Sequence, residues 1–197
     1  MIVAMTRTSP VLLLLTATLA FGQQTAISPA GGGTWAPFGF LLGEWIGEGG
    51  GGPGQGAGGF SFTIDLQEKI LVRKNHAEYP ATKDRPAYSH TDLMIIYPQP
   101  GSDRLRGMYF DNEGHVIDYA VEPSEDRNTV QFRSEASSTS PGFRLTYKKT
   151  GANALTLKFE IAPPGKPDAF SAYIEATARR VGLPGGSTSS TPALGRR

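Results

Sequence analysis

From Phe60 to Val181 apolar and polar residues alternate with a period of two, the pattern of strands that bury one face. The alternation predicts strands over Phe60 to Gln67, Ile70 to Ala77, Ser89 to Tyr97, Arg104 to Phe110, His115 to Val121, Thr129 to Ala136, Phe143 to Tyr147, Leu155 to Ile161 and Phe170 to Arg179. A short apolar turn of Phe38, Phe40, Leu41 and Leu42 precedes one more strand opening at Gly43-Glu44-Trp45, which brings the number to ten. The intervening segments, such as PATKDRP, PQPGSD, DNEG and KKTGAN, are dominated by turn-forming residues. No helical pattern of useful length interrupts them. Every connection suits an antiparallel hairpin, so the expected topology is an up-and-down meander.

Opposed residues in a hairpin share a face, so a choice of face on one strand propagates to the next. Phe143, Leu145 and Tyr147 on one strand and Leu155, Leu157, Phe159 and Ile161 on another mark the inside. Centring each turn carries that face to Phe132, to His115, Ile117, Tyr119 and Val121, and to Arg106, Met108 and Phe110. It then passes through Thr91, Leu93 and Ile95 to Leu71, Arg73 and Asn75, and to Phe60, Phe62, Ile64 and Leu66. Ten strands with one apolar face close best on themselves, because closure removes both edges. The expectation is an all-β fold, a single ten-stranded antiparallel up-and-down β-barrel. A barrel of this size leaves room for an internal cavity. The same phase puts Ile70, Val72, Met94 and Ile96 outside as an apolar patch, either a self-association face for a homodimer or a face covered by the linker.

The ends read differently. Arg7, the apolar run Val11 to Phe21 and the small residues Ala20 and Gly22 predict a signal peptide over 1–22. Export to the periplasm or beyond, with no membrane anchor left after cleavage, is therefore expected. Residues 23–35 read as a linker, 36–181 as the barrel domain and 182–197, rich in Gly, Ser, Thr and Pro, as a disordered tail. Gly49 to Gly59 reads as a flexible connection without the lysine a phosphate loop needs. A net charge of +1 with no basic cluster argues against a nucleic-acid partner. The absence of cysteine excludes disulfides, thiolate metal sites, a lipoprotein anchor and cysteine nucleophiles.

The Gly43-Glu44-Trp45 start, the strand count and the strand order resemble the calycin-type barrels, which comprise lipocalins, fatty-acid-binding proteins and nitrobindins. GEWIGEGGG is most similar to the nitrobindin start. The resemblance covers Pro37 to about Val181 and implies a ligand-binding container. It also departs from those families. Fatty-acid binders meet the ligand carboxylate with an Arg-x-Tyr on the last strand, which here reads AFSAYIEATARRV, and they carry a helical lid where this chain has Gly49 to Gly59. Nitrobindins hold haem through a late histidine, and no histidine follows His115. Tyr173, an alternative iron ligand, falls on the outward phase. No cofactor is therefore expected, and haem-based peroxynitrite chemistry is the lesser reading.

The inward phase places Arg73, Arg106, His115, Tyr119 and Tyr147 along the cavity, with Trp45 beside them, as candidate ligand-binding residues. Because the same phase supplies no Asp or Glu from the third strand to the ninth, the arginines are expected to anchor the acidic group of a small apolar or amphipathic ligand. His76, His90 and Asp111 gather at one rim by the same counting and form a weak metal set on the outward phase. No nucleophile elbow, catalytic triad or carboxylate pair stands out, so no catalytic residue is assigned. A purely structural or interaction module would instead pack the interior solid with Phe62, Phe110, Phe132 and Phe159.

Overall fold

The computed structural model of the chain describes residues 33–48 and 56–182. The expected signal peptide, most of the linker and the tail beyond Gly182 lie outside the described residues. Alternation and turn chemistry produce ten strands: β1 (Gly43–Glu48), β2 (Ala57–Asp65), β3 (Ile70–Tyr79), β4 (Tyr88–Pro98), β5 (Leu105–Asp111), β6 (Val116–Pro123), β7 (Thr129–Arg133), β8 (Gly142–Lys149), β9 (Ala154–Ala162) and β10 (Ser171–Arg180). Each pairs antiparallel with its neighbour in sequence, and β1 pairs with β10 through Trp45↔Arg180 and Glu48↔Thr177, so the sheet closes as an up-and-down barrel.

The two ends of the barrel differ. At the end where β1 starts and β10 finishes, a single helical turn (Ala36–Phe38) and the residues around it fold in as a plug. Phe38 and Leu41 are fully buried, and Trp35 nearly so. Trp35 Nε1–H donates to the Glu68 carbonyl in the β2–β3 turn at 2.8 Å, and Trp45 Nε1–H donates to the Leu41 carbonyl at 2.8 Å. Arg180 donates to the carbonyls of Phe40 and Leu42 and lies 4.3 Å over the Trp45 ring. Packing thus begins at Trp35, inside the stretch read as linker. Above the plug Phe62, Leu71, Met94, Ile96, Val130, Phe132, Tyr147 and Leu155 form a continuous core.

Register departs from expectation on two strands. The turn after β3 runs from Pro80 to Ala87 and pairs Tyr79 with Tyr88, whose rings stack at 4.5 Å, one residue longer than PATKDRP. The turn after β5 also takes in His115 and pairs Phe110 with Val116, again one residue longer than DNEG. Each extra residue inverts the face, and the second inversion cancels the first. β6 therefore faces as expected, while β4 and β5 are reversed. Met94 and Ile96 are fully buried, so the outer apolar patch keeps Ile70 and Val72 but is completed by Ile95 and Met108. Thr91, Leu93, Met108 and Phe110 face outward; Phe110 is 40 % exposed. Arg106 also lies outside, where its Nε and Nη2 donate to the Asp118 carboxylate. The inward position beside it is Gly107, where an added Cβ would stand 3.3 Å from Met94 Sδ and 3.4 Å from Val121 Cγ2; a guanidinium has no room there. Leu66, read as inward, sits in a left-handed turn at φ 47° and is exposed.

Candidate functional site

The core fills only the plugged half of the barrel. Toward the other end, where the β3–β4 and β5–β6 turns lie, a cavity of about 390 Å³ remains. Its walls have two characters. β8, β9 and β10 contribute Phe143, Leu145, Leu157, Phe159, Ile174 and Ala176, and Phe60 and Ile117 extend this apolar wall. Across from it, β3, β4, β5 and the β5–β6 turn contribute Arg73, Asn75, His90, Asp92, Tyr109, Asp111, Glu113 and His115. The interior is therefore not packed solid by phenylalanine. Phe62 and Phe132 belong to the core beneath, Phe159 lines the cavity and Phe110 is outside.

The polar wall is one connected network. Arg73 is buried, donating from Nε to the Tyr147 hydroxyl at 2.6 Å and from Nη1 to Asp92 Oδ1. Asp92 Oδ2 accepts from Asn75 Nδ2 at 2.9 Å and faces His90 Nε2 at 3.3 Å. His90 Nδ1 lies 2.9 Å from Glu113 Oε1, and its Nε2 lies 3.3 Å from the Tyr109 hydroxyl. Tyr109 donates to Asp111 Oδ2 at 3.2 Å, and the same oxygen meets His115 Nδ1 at 2.8 Å. Asp111 Oδ1 accepts the backbone N–H groups of Glu113 and His115, which shapes the turn and aims both side chains at the rim.

Electrostatics follow from these contacts. Burial is the largest influence on Arg73 and works against its charge, but Asp92, Tyr147 and Tyr109 together outweigh it and the guanidinium pKa rises. Burial likewise works against the Asp92 carboxylate, yet Arg73 and His90 hold its pKa below the ordinary value. The hydrogen bond to Asp92, opposed by burial and helped by Glu113, lifts the His90 pKa to about 9. His90 is thus an imidazolium near neutrality, with a carboxylate at each ring nitrogen. Burial pushes the Tyr109 hydroxyl well above its ordinary range.

The candidate residues divide accordingly. Arg73, Tyr119 and His115 line the cavity, His115 at its exposed rim. Arg106 does not line it, since its strand faces the other way. Tyr147 is fully buried beneath Arg73 and supports it, and Trp45 stacks on Phe60 at 6.2 Å inside the core, so neither touches the cavity. His76, on the outer phase of β3 and 2.9 Å from Glu78, reaches only the exposed rim of the cavity, whereas His90 turns inward with the reversal of β4. The expected trio of His76, His90 and Asp111 is not assembled: among the described residues no cluster of His, Asp and Glu has metal-holding geometry. Tyr173 is displaced by a bulge between Ala172 and Ile174, so it lines the cavity edge against Phe159 rather than facing away. Asp92 is the inward carboxylate absent from the predicted phase, and with it goes the premise of unopposed arginines. Asp92, Tyr109 and Glu113 were not singled out from sequence. The signal for Asp92 was the buried arginine itself, whose charge requires a carboxylate on an adjacent strand.

No protein-family model matches the sequence, and no curated protein matches it significantly.

Proposed function

We propose that the protein is a binding barrel that encloses a small, largely apolar molecule in its upper half, a container of the calycin type, working outside the cytoplasm after removal of residues 1–22. The observation that carries this reading is the two-sided cavity of about 390 Å³, a size suited to a ligand of modest length. The apolar wall supplies burial energy of about 25 cal/mol per Å² of ligand surface covered. The opposite wall orients the ligand through hydrogen bonds. Its charged groups are paired with one another, and among the described residues none is a nucleophile poised for chemistry; binding without turnover is the simpler use of such a site.

Native mass spectrometry of the protein recovered from its own source tests the proposal. A retained small molecule, lost when Leu157→Arg places a charge on the apolar wall, is the expected result. An empty protein that also fails to take up the neutral dye Nile red would refute the container. The same spectrum reads export, since envelope protein that retains Met1 would contradict cleavage after Gly22.

A further inference from the structure

Two polar groups on the cavity wall are unused by the network. Tyr119 is 1 % exposed and lines the cavity, yet among the described residues its hydroxyl has no hydrogen-bond partner. Its ring is held by edge contacts to Tyr109 and Phe132, which fixes the direction of the hydroxyl. Arg73 commits Nε to Tyr147 and Nη1 to Asp92, which leaves Nη2 without an acceptor among the described residues. No side-chain nitrogen or oxygen among the described residues is both fully buried and unpartnered. Both groups therefore open onto the cavity. Burial raises the Tyr119 pKa while Arg73 opposes the rise, so the hydroxyl stays protonated and can donate. Nη2 can only donate.

Resting on the reading of the barrel as a container, we infer that its ligand carries an uncharged oxygen acceptor, a ketone, ester or alcohol, held by Tyr119 Oη and Arg73 Nη2. Two donors without acceptors call for an oxygen. The charge balance selects an uncharged one. The wall carries Arg73 and His90 against Asp92, Asp111 and Glu113, and a positive His115 would only bring it to balance. The rim histidine His76 is matched by Glu78. A ligand carboxylate at Arg73 would lie beside Asp92, and two anions sharing one guanidinium repel each other in a low-dielectric site. An ammonium head would face donors. An uncharged oxygen satisfies both groups without either cost, as a polar clamp at the foot of an apolar cavity.

Displacement of Nile red by methyl decanoate, decanoate and decane tests this on the whole protein and on Tyr119→Phe. Because the hydroxyl has no partner among the described residues, that variant removes no bond seen in the fold and is expected to fold. Methyl decanoate should displace the dye at about five- to tenfold lower concentration than decane or decanoate, the effect of about one hydrogen bond. In Tyr119→Phe the ester should lose most of its advantage over decane, with decane unchanged. Strongest displacement by decanoate, or an ester-to-decane ratio unaffected by the substitution, overturns the inference. Equal binding of ester and decane sinks the oxygen clamp and leaves the container standing; failure of the dye and every probe to bind sinks both.

Discussion

At Asp92 a carboxylate inside a barrel stays ionised because Arg73, Asn75 and His90 all face it. Such a pair contributes little net stability against an apolar pair of the same volume, but removing one partner strands the other charge in a low dielectric. Asp92→Leu is therefore expected to cost about 3 to 5 kcal/mol, and Arg73→Met with Asp92→Leu to recover most of the loss, as measured by denaturant unfolding of the single and double variants. His90 makes a pH-dependent contribution to the same network. Its folded pKa of about 9 exceeds the 6.5 of a free imidazole, because Asp92, and to a lesser degree Glu113, favour the charged ring. Between those values the folded protein binds a proton that the unfolded chain does not. The stabilisation is complete below pH 6.5, declines as pH rises toward about 9 and is absent above. Thermal melting across that window should show the decline in the native protein and a flatter profile in His90→Gln. Equal slopes would mean that the ring is not charged in the fold.

Among the elements, β2 shows what the glycine-rich stretch is for at its end nearest the barrel. The strand begins at Ala57, three residues before the predicted Phe60, and draws Gly58 and Gly59 into the sheet. A Cβ on Gly58 would lie 2.1 Å from the His76 carbonyl oxygen, and one on Gly59 would lie 2.3 Å from that of Trp45, so β1, β2 and β3 approach too closely here for any side chain. Gly58→Ala must force strands apart. It should destabilise by about 2 kcal/mol or more in chemical unfolding, whereas alanine at Gly101, with open space around its Cβ position, should cost only the strain of its φ of 72°. The strands and their order were legible from alternation and turn composition, because a strand with one buried face writes a period of two into its residues. The inward face of β4 and β5 was not. DLMIIY is apolar on both phases, so the period could not say which face was inside, and the answer depended on two turn lengths. The stacked Tyr79 and Tyr88 close one turn a residue later than its prolines suggest, and the Asp111 bonds to the backbone of Glu113 and His115 close the other. Of the candidate residues, Arg73 and Tyr119 face the cavity because β3 and β6 lie on either side of the reversed pair, and His115 reaches its rim from the turn after β5. Tyr173 was misplaced for a similar reason, since the β10 bulge leaves no mark in composition.

Across the whole molecule, the barrel fills one half and leaves the other open, an arrangement that would let stability and the proposed binding vary separately. The plug of Trp35, Phe38 and Leu41, with the aromatic core above it, closes one end, and the cavity lies at the end where the β3–β4 and β5–β6 turns meet. The plug holds on to Glu68, Leu42 and Phe40, none of which lines the cavity, and the two halves meet only through side chains such as Phe60, Tyr119 and Leu145 that belong to both the core and the cavity wall. Two substitutions should then move two different readouts. Phe38→Ala removes a fully buried ring and is expected to lower unfolding free energy by about 3 to 5 kcal/mol. Nile red affinity, measured well below the melting temperature, should stay unchanged. Ala176→Phe instead places a ring in the open cavity, where it has space and apolar neighbours in Leu157, Phe159 and Ile174. It should weaken dye binding by about tenfold or more while leaving the melting temperature unchanged or higher, because it buries new apolar surface without displacing packed atoms. If Phe38→Ala weakens binding in proportion to its loss of stability, or Ala176→Phe destabilises without affecting the dye, the halves are coupled and the open end is part of the core rather than a container.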